Sequence, residues 1–218
     1  MRRTVLFAVL ALGATAWAED LAVDPDAGNS TFSAIFDAAL GERINAQSAA
    51  VGCKVSLDEK TGAVSGSCAV PLTSVRVDNE DTKTDHFRQW VTNKKSDPKD
   101  CRLEAVFQGV KLGKLVAERP VPFEARIPFT VCGRGPVDGR AEHVKGTAVL
   151  FPPGSYGAAR TIRVRATIQG FDRDAYHIGP KYTEGWLARV QSLAKVVAEK
   201  GTVELTLFAH PASEAAAR

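Results

Sequence analysis

The chain predicts an all-β protein, an antiparallel sheet of about eight strands closed into a barrel, with one or two short helices. Three observations carry that prediction. Most of the chain beyond residue 18 alternates apolar and polar side chains with period 2, the pattern of strands that bury one face. Clusters of turn-forming residues cut the alternation into strand-sized pieces. Only two segments carry helical spacing.

The first eighteen residues stand outside this pattern. Arg2 and Arg3 precede the apolar run Val5 to Leu12, which leads to Ala16-Trp17-Ala18. This order is that of a secretory signal with an A-x-A cleavage site. The apolar run is shorter than the roughly 18 residues that span a bilayer, so no transmembrane anchor is expected. Glu19 follows the cleavage point where a lipoprotein would carry cysteine. The expectation is a signal peptide over 1–18 and a single domain over 19–218, periplasmic or otherwise secreted.

Within that domain the alternating runs follow in order. Phe32, Ala34 and Phe36 open the series. Val51, Cys53, Val55 and Leu57 form the next face, answered across Asp58 to Gly62 by Val64, Cys68, Val70 and Leu72. Leu103, Ala105 and Phe107 follow, then Phe123 through Val131, and Val144, Ala148 and Leu150. Ile162, Val164, Ala166 and Ile168 alternate with Arg163, Arg165 and Thr167, and Val203, Leu205 and Leu207 close the set. Gly133 to Gly139 and Pro152-Pro153-Gly154 supply further breaks. The helical segments are Phe87, Trp90 and Val91 after Asp85, and Leu187, Val190, Leu193, Ala194 and Val197 before Gly201. Closure is favoured because a barrel removes exposed sheet edges, and an eight-stranded barrel has an interior that just holds one small ligand. A sandwich of the same strands is the alternative.

Four cysteines, an even number in an exported chain, suggest disulfides, and four allow three pairings. Cys53 falls opposite Cys68 about the 58–62 turn, which suits a cross-strand bridge. Cys101 with Cys132 then follows by elimination. No C-x-x-C pair exists, so neither a metal centre nor a redox dithiol is expected.

Charge and chemistry narrow the function classes. Without Arg2 and Arg3 the 28 basic side chains become 26 against 25 acidic ones, which leaves no electrostatic footprint for nucleic acid. Catalysis needs a nucleophile with a base, a carboxylate pair or a metal cluster, and none stands out. Asp85 and His86 are adjacent on a helix and face different directions; His143, His177 and His210 are scattered. The chain reads as no enzyme, with no cofactor.

The strand order, joined to four short motifs, resembles the YceI-like family. Val23-Asp24-Pro25 with Ser30, Phe32, Ala34 and Phe36 is similar to the family's opening signature. Lys83, His86 and Phe87 resemble its short-helix motif, Phe129 to Gly133 its Leu-x-Ile-x-Gly strand, and Arg173, Tyr176 and Ile178 its later strand end. The match covers most of Leu21 to Pro211. Lys83-Thr84 stands where Arg-Asp is usual, Ala175 and His177 stand where Asp and Gly are usual, and Thr183 to Lys200 is longer than the family's connection. The resemblance implies a lipocalin-like barrel that binds a polyisoprenoid or related lipid. Its wall would include Phe32, Phe36, Val70, Leu72, Phe107, Phe129 and Val131. Phe87, Trp90 and Tyr176 would line the entrance, with Arg173 or Lys83 meeting a polar head group.

The leading expectation is therefore an exported carrier or sequestering protein whose partner is an isoprenoid, an isoprenoid quinone or a similar amphiphile. A filled-core interaction or stress-response module and an enzyme acting on such a lipid are the competitors. A homodimer is left open.

Overall fold

The computed structural model describes residues 18–93, 95–155, 157, 159–183 and 197–215. The expected signal segment up to Trp17 and most of the second expected helix, including Leu187, Val190, Leu193 and Ala194, lie outside the described residues.

Twelve strands form one sheet: β1 (Ala18–Val23), β2 (Thr31–Asp37), β3 (Arg43–Ser48), β4 (Gly52–Asp58), β5 (Ala63–Pro71), β6 (Arg76–Val77), β7 (Arg102–Lys111), β8 (Val121–Ile127), β9 (Phe129–Val131), β10 (Glu142–Phe151), β11 (Thr161–Asp172) and β12 (Lys200–Pro211). Helix α1 (Asp81–Thr92) is the expected first helix; α2 (Pro180–Thr183) and α3 (Ala212–Ala215) are single turns. All ladders between these strands are antiparallel.

The all-β antiparallel class with short helices stands, but the expected count of eight is corrected to twelve. One expected strand, Phe123 to Val131, is split. Pro128 has no N–H to give a ladder, so β8 ends before it and β9 begins after it. Three others escaped the pattern. β1 precedes the first alternating run, β3 has the polar sequence Arg-Ile-Asn-Ala-Gln-Ser, and β6 has only two residues. Leu72, expected at the end of a strand, instead begins a 3₁₀ turn after Pro71 and is fully buried.

The sheet runs β6-β3-β2-β12-β1-β4-β5-β7-β9, and the other edge of β12 continues through β11, β10 and β8. The ladder is interrupted between the two ends, where β7 pairs β9 while β8 pairs β10. β1 and β2 share one edge of β12. Leu21 and Ala22 pair with Pro211 and His210, and Thr31 to Ile35 pair with Thr206 to Thr202. Between them residues 24–30 lift off the ladder. Asp24 caps a 3₁₀ turn that starts at Pro25, and the buried Ser30 hydroxyl accepts from Phe208 N–H at 3.1 Å. The hydroxyl thus replaces the missing strand carbonyl, so the break leaves no orphan donor.

Cys53 pairs with Cys68 as the spacing suggested, and Cys101 with Cys132 as elimination left it. Cys53 and Cys68 are register partners in β4 and β5 and are bonded, with Cα atoms 4.1 Å apart. Cys101 is bonded to Cys132 and ties the start of β7 to the end of β9, beside the Cys132 N–H to Arg102 carbonyl hydrogen bond of 2.8 Å. The sequence separation of Cys53 and Cys68 is 15. A loop of that size predicts that Cys53→Ala/Cys68→Ala loses about 3 kcal/mol of unfolding free energy. Urea denaturation of the purified double variant checks this, and an unchanged midpoint would remove the bridge from the account of stability.

Candidate ligand-binding cavity

The inward faces of the strands do not fill the space they enclose. Val55, Phe107, Ile127, Val164, Ala166 and Leu205 occupy inward register positions yet are only partly buried, because each borders a void of about 160 Å³. Ten of the twelve strands contribute to its wall: β1, β2, β4, β5, β7, β8, β9, β10, β11 and β12. Apart from Thr167 and the bonded Cys68, every lining side chain is apolar.

A second cavity of about 60 Å³ lies against α1, whose Phe87, Trp90 and Val91 form one wall. Phe36, Ile44, Val131, Phe171, Ile178 and Val197 complete most of it. Phe32, Leu103, Phe129 and Val203 border both cavities, so these four side chains stand between the lobes.

Two glycines set the width of the walls. A Cβ on Gly201 would lie 2.5 Å from the Phe36 ring, and one on Gly146 would lie 2.6 Å from the Phe123 ring. Each phenylalanine lies across the bare backbone of a neighbouring strand. Any side chain at those glycines would push the ring into the cavity.

The structure gathers most of the residues singled out from the sequence. Phe32 and Phe129 border both cavities, Val70 and Phe107 the larger, and Phe36, Phe87, Trp90, Val131 and Arg173 the smaller. Leu72 and Tyr176 border neither. Sequence reasoning missed Val23, Val55, Val164, Ala166, Leu205 and Leu207 as wall residues. For all but Val23 the signal was present in the period-2 runs of β4, β11 and β12, since an inward position on any strand of a wrapped sheet faces the same space.

Tyr176 instead anchors the wall from outside. Its ring stacks on Phe171 at 5.0 Å and meets Phe129 edge-on at 5.8 Å, and its hydroxyl donates to Glu142 Oε1 at 2.8 Å. Burial, and then the hydrogen bond to Glu142, push the phenol well above its ordinary pKa. The phenol therefore stays a neutral donor to Glu142 at any physiological pH.

Arg173 is committed to the backbone. Its Nε donates to Ala198 O at 3.0 Å, Nη1 to Ile178 O at 2.6 Å and Nη2 to Val197 O at 2.7 Å. These bonds tie the 173–178 turn to the chain entering β12. Burial lowers the guanidinium pKa from its usual value, although Glu199 and Asp174 oppose this. Lys83 forms ion pairs with Glu80 at 2.9 Å and Asp78 at 3.1 Å, and these hydrogen bonds raise its pKa.

Chemically, such a lining removes water from an apolar chain. Among the described residues no group of three or more His, Cys, Asp or Glu could hold a metal ion, and no helix is long and apolar enough to cross a membrane. Fold and cavity together define a class, the antiparallel β-proteins that wrap one sheet around an apolar interior.

Comparison places a solved member of that class beside this chain. The structure of a polyisoprenoid binding domain from Saccharophagus degradans, implicated in plant cell wall breakdown, has the same fold, with a TM-score of 0.59 over 88% of this chain and 98% of that one. The two sequences are 13% identical. No family model matches the chain, and no curated protein matches it in sequence.

Proposed function

We propose that this chain is an exported, non-catalytic carrier or sequestering protein of the YceI-like type, and that it holds an isoprenoid, an isoprenoid quinone or a similar amphiphile in the larger cavity. The observation that carries the reading is the void itself, enclosed by ten strands and lined almost wholly by apolar side chains. The polyisoprenoid binding domain of the same fold supports it. The leader-like residues 1–18 and the two disulfides support export.

The reading treats the interrupted sheet as a working barrel of eight staves, with β1/β2 and β8/β9 each counted as one broken stave. The Val106 N–H, which donates to Pro128 O at 3.2 Å, supports closure at the break. A void of about 160 Å³ accepts a chain of the order of ten carbon-sized groups, given that one water-sized group needs about 10–15 Å³. Burying ten methylenes contributes about 8 kcal/mol, which corresponds to micromolar binding before ordering costs. A longer chain would extend past Phe32 and Phe129 into the second lobe.

Native mass spectrometry of protein purified from its own periplasm tests the reading directly, with an apolar adduct as the expected result. Filling the cavity tests its location. Ala166 lies between Gly146 and Leu205 on the neighbouring strands, with space above it. Ala166→Phe should reduce uptake of a fluorescent fatty acid more than tenfold while the thermal midpoint holds or rises, since the ring occupies a void rather than a packed core. A lower midpoint with normal uptake would return the site to ordinary core and favour the interaction-module reading.

A further inference from the structure

Of the four large apolar side chains that stand exposed among the described residues, two are on the rim that carries the smaller cavity. Leu40 is 101% exposed and Val137 is 71% exposed. Leu40 occupies the tip of the β2–β3 hairpin with φ of 64°, a left-handed conformation in which glycine or asparagine is the ordinary occupant. A leucine there is strained and buries nothing, so folding gives no reason for it. Val137 stands in the turn closed by Gly139 N–H to Pro136 O, at 2.9 Å.

A chain of backbone hydrogen bonds places both tips on one rim. Val137 N–H donates to Ala175 O at 2.9 Å, Arg173 N–H to Glu199 O at 3.0 Å, and Ala198 N–H to Asp37 O at 2.8 Å, one residue before the hairpin turn. Arg173, Ile178 and Val197 of these same segments border the smaller cavity. Phe87 and Trp90 border it too and are only partly buried.

Among the described residues, four basic side chains of this rim have acidic partners. Arg43 pairs with Asp37, Lys83 with Asp78 and Glu80, Arg140 with Asp138, Glu142 and Asp172, and Lys181 with Asp174 and Glu199. Such a surface has little attraction for an anionic partner, while its apolar tips suit a hydrocarbon interface.

We infer that this rim is a docking surface for a lipid bilayer, with Leu40 and Val137 dipping into the acyl boundary so that cargo passes between the membrane and the smaller cavity without crossing water. The inference rests on the carrier reading for the cargo, and on the exposed tips alone for the docking. Docking is driven by apolar insertion rather than by charge, so it does not need anionic lipid and resists salt.

The full-length mature protein and vesicles of pure phosphatidylcholine test it in two arms. Unloaded protein should float with the vesicles at low and high salt alike, and Leu40→Asn/Val137→Asn should reduce the bound fraction by about tenfold or more, as expected for loss of two inserted apolar side chains. Asparagine accepts the left-handed conformation at position 40, so the variant keeps its fold. Absence of flotation by the parent protein, or equal flotation by the variant, overturns the surface. In the second arm, protein loaded with a fluorescent fatty acid is mixed with the same vesicles. Transfer should speed up with vesicle concentration, and the variant should lose that dependence while its equilibrium uptake is unchanged. A parent rate independent of vesicle concentration means release through water and overturns the inference. Failure of the parent protein to take up the fatty acid at all would instead count against the carrier reading, with the flotation arm still deciding the surface.

Discussion

Phe129→Asp is expected to abolish lipid uptake and to lower the unfolding free energy by about 4–5 kcal/mol, a large share of the stability of an ordinary domain. Phe129 borders both cavities and meets Phe171 and Tyr176 edge-on, at 5.7 and 5.8 Å. Truncating a phenylalanine in such a cluster costs the buried area and the edge-to-face contacts, and the carboxylate adds a desolvation penalty. The second lobe would also lose the ring that separates it from the first. Phe107 borders only the larger cavity, so at Phe107→Asp water can enter around the new charge, and uptake should fall with a smaller stability loss. Urea denaturation and fluorescent fatty acid binding on both variants check the contrast. Equal and full unfolding of the two would mean that the interior is a filled core, and normal binding by both would remove these rings from the site.

Arg173→Met should cost about 3–5 kcal/mol, because it strips three carbonyls, those of Val197, Ala198 and Ile178, of a charged donor. The 173–178 turn and the entry to β12 would separate, and with them the wall that Ile178 and Val197 supply to the smaller cavity. An arginine whose main duty was to a ligand head group would leave apo stability nearly unchanged when replaced, so equilibrium denaturation of the ligand-free protein distinguishes the two roles. Lys83→Met is the control: its ion pairs are exposed and the substitution should leave the midpoint almost where it was.

Arg173 and Lys83 also show where motif reasoning stopped. Both were assigned to a head group by resemblance. A motif gives residue identity at a position in the chain, but two of the three acceptors of Arg173 come from residues 24 and 25 positions away, which no local pattern encodes, while Lys83 is taken by Asp78 and Glu80 close to it in the chain. Tyr176 is similar. The resemblance put it at the entrance, whereas its stacking on Phe171 and its hydrogen bond to Glu142 across 34 residues make it a support behind the wall.

The sequence by itself determined the all-β class, helix α1 and the partners of all four cysteines. The class, the helix and the first bridge are decided by separations of a few residues or by one tight turn, since period-2 burial marks a strand and the Asp58 to Gly62 turn puts Cys53 opposite Cys68; the second bridge followed by elimination. Of the eleven wall and entrance residues singled out in the sequence, nine border the two cavities. The tertiary structure alone decided the twelve-strand count, the break of β8 and β9 at Pro128 and the division of the interior into two lobes. A void is the difference between the space enclosed by distant strands and the volume of the side chains that point into it. Neighbours in the chain determine which way a side chain points, whereas the distance between facing walls depends on every ladder around the sheet.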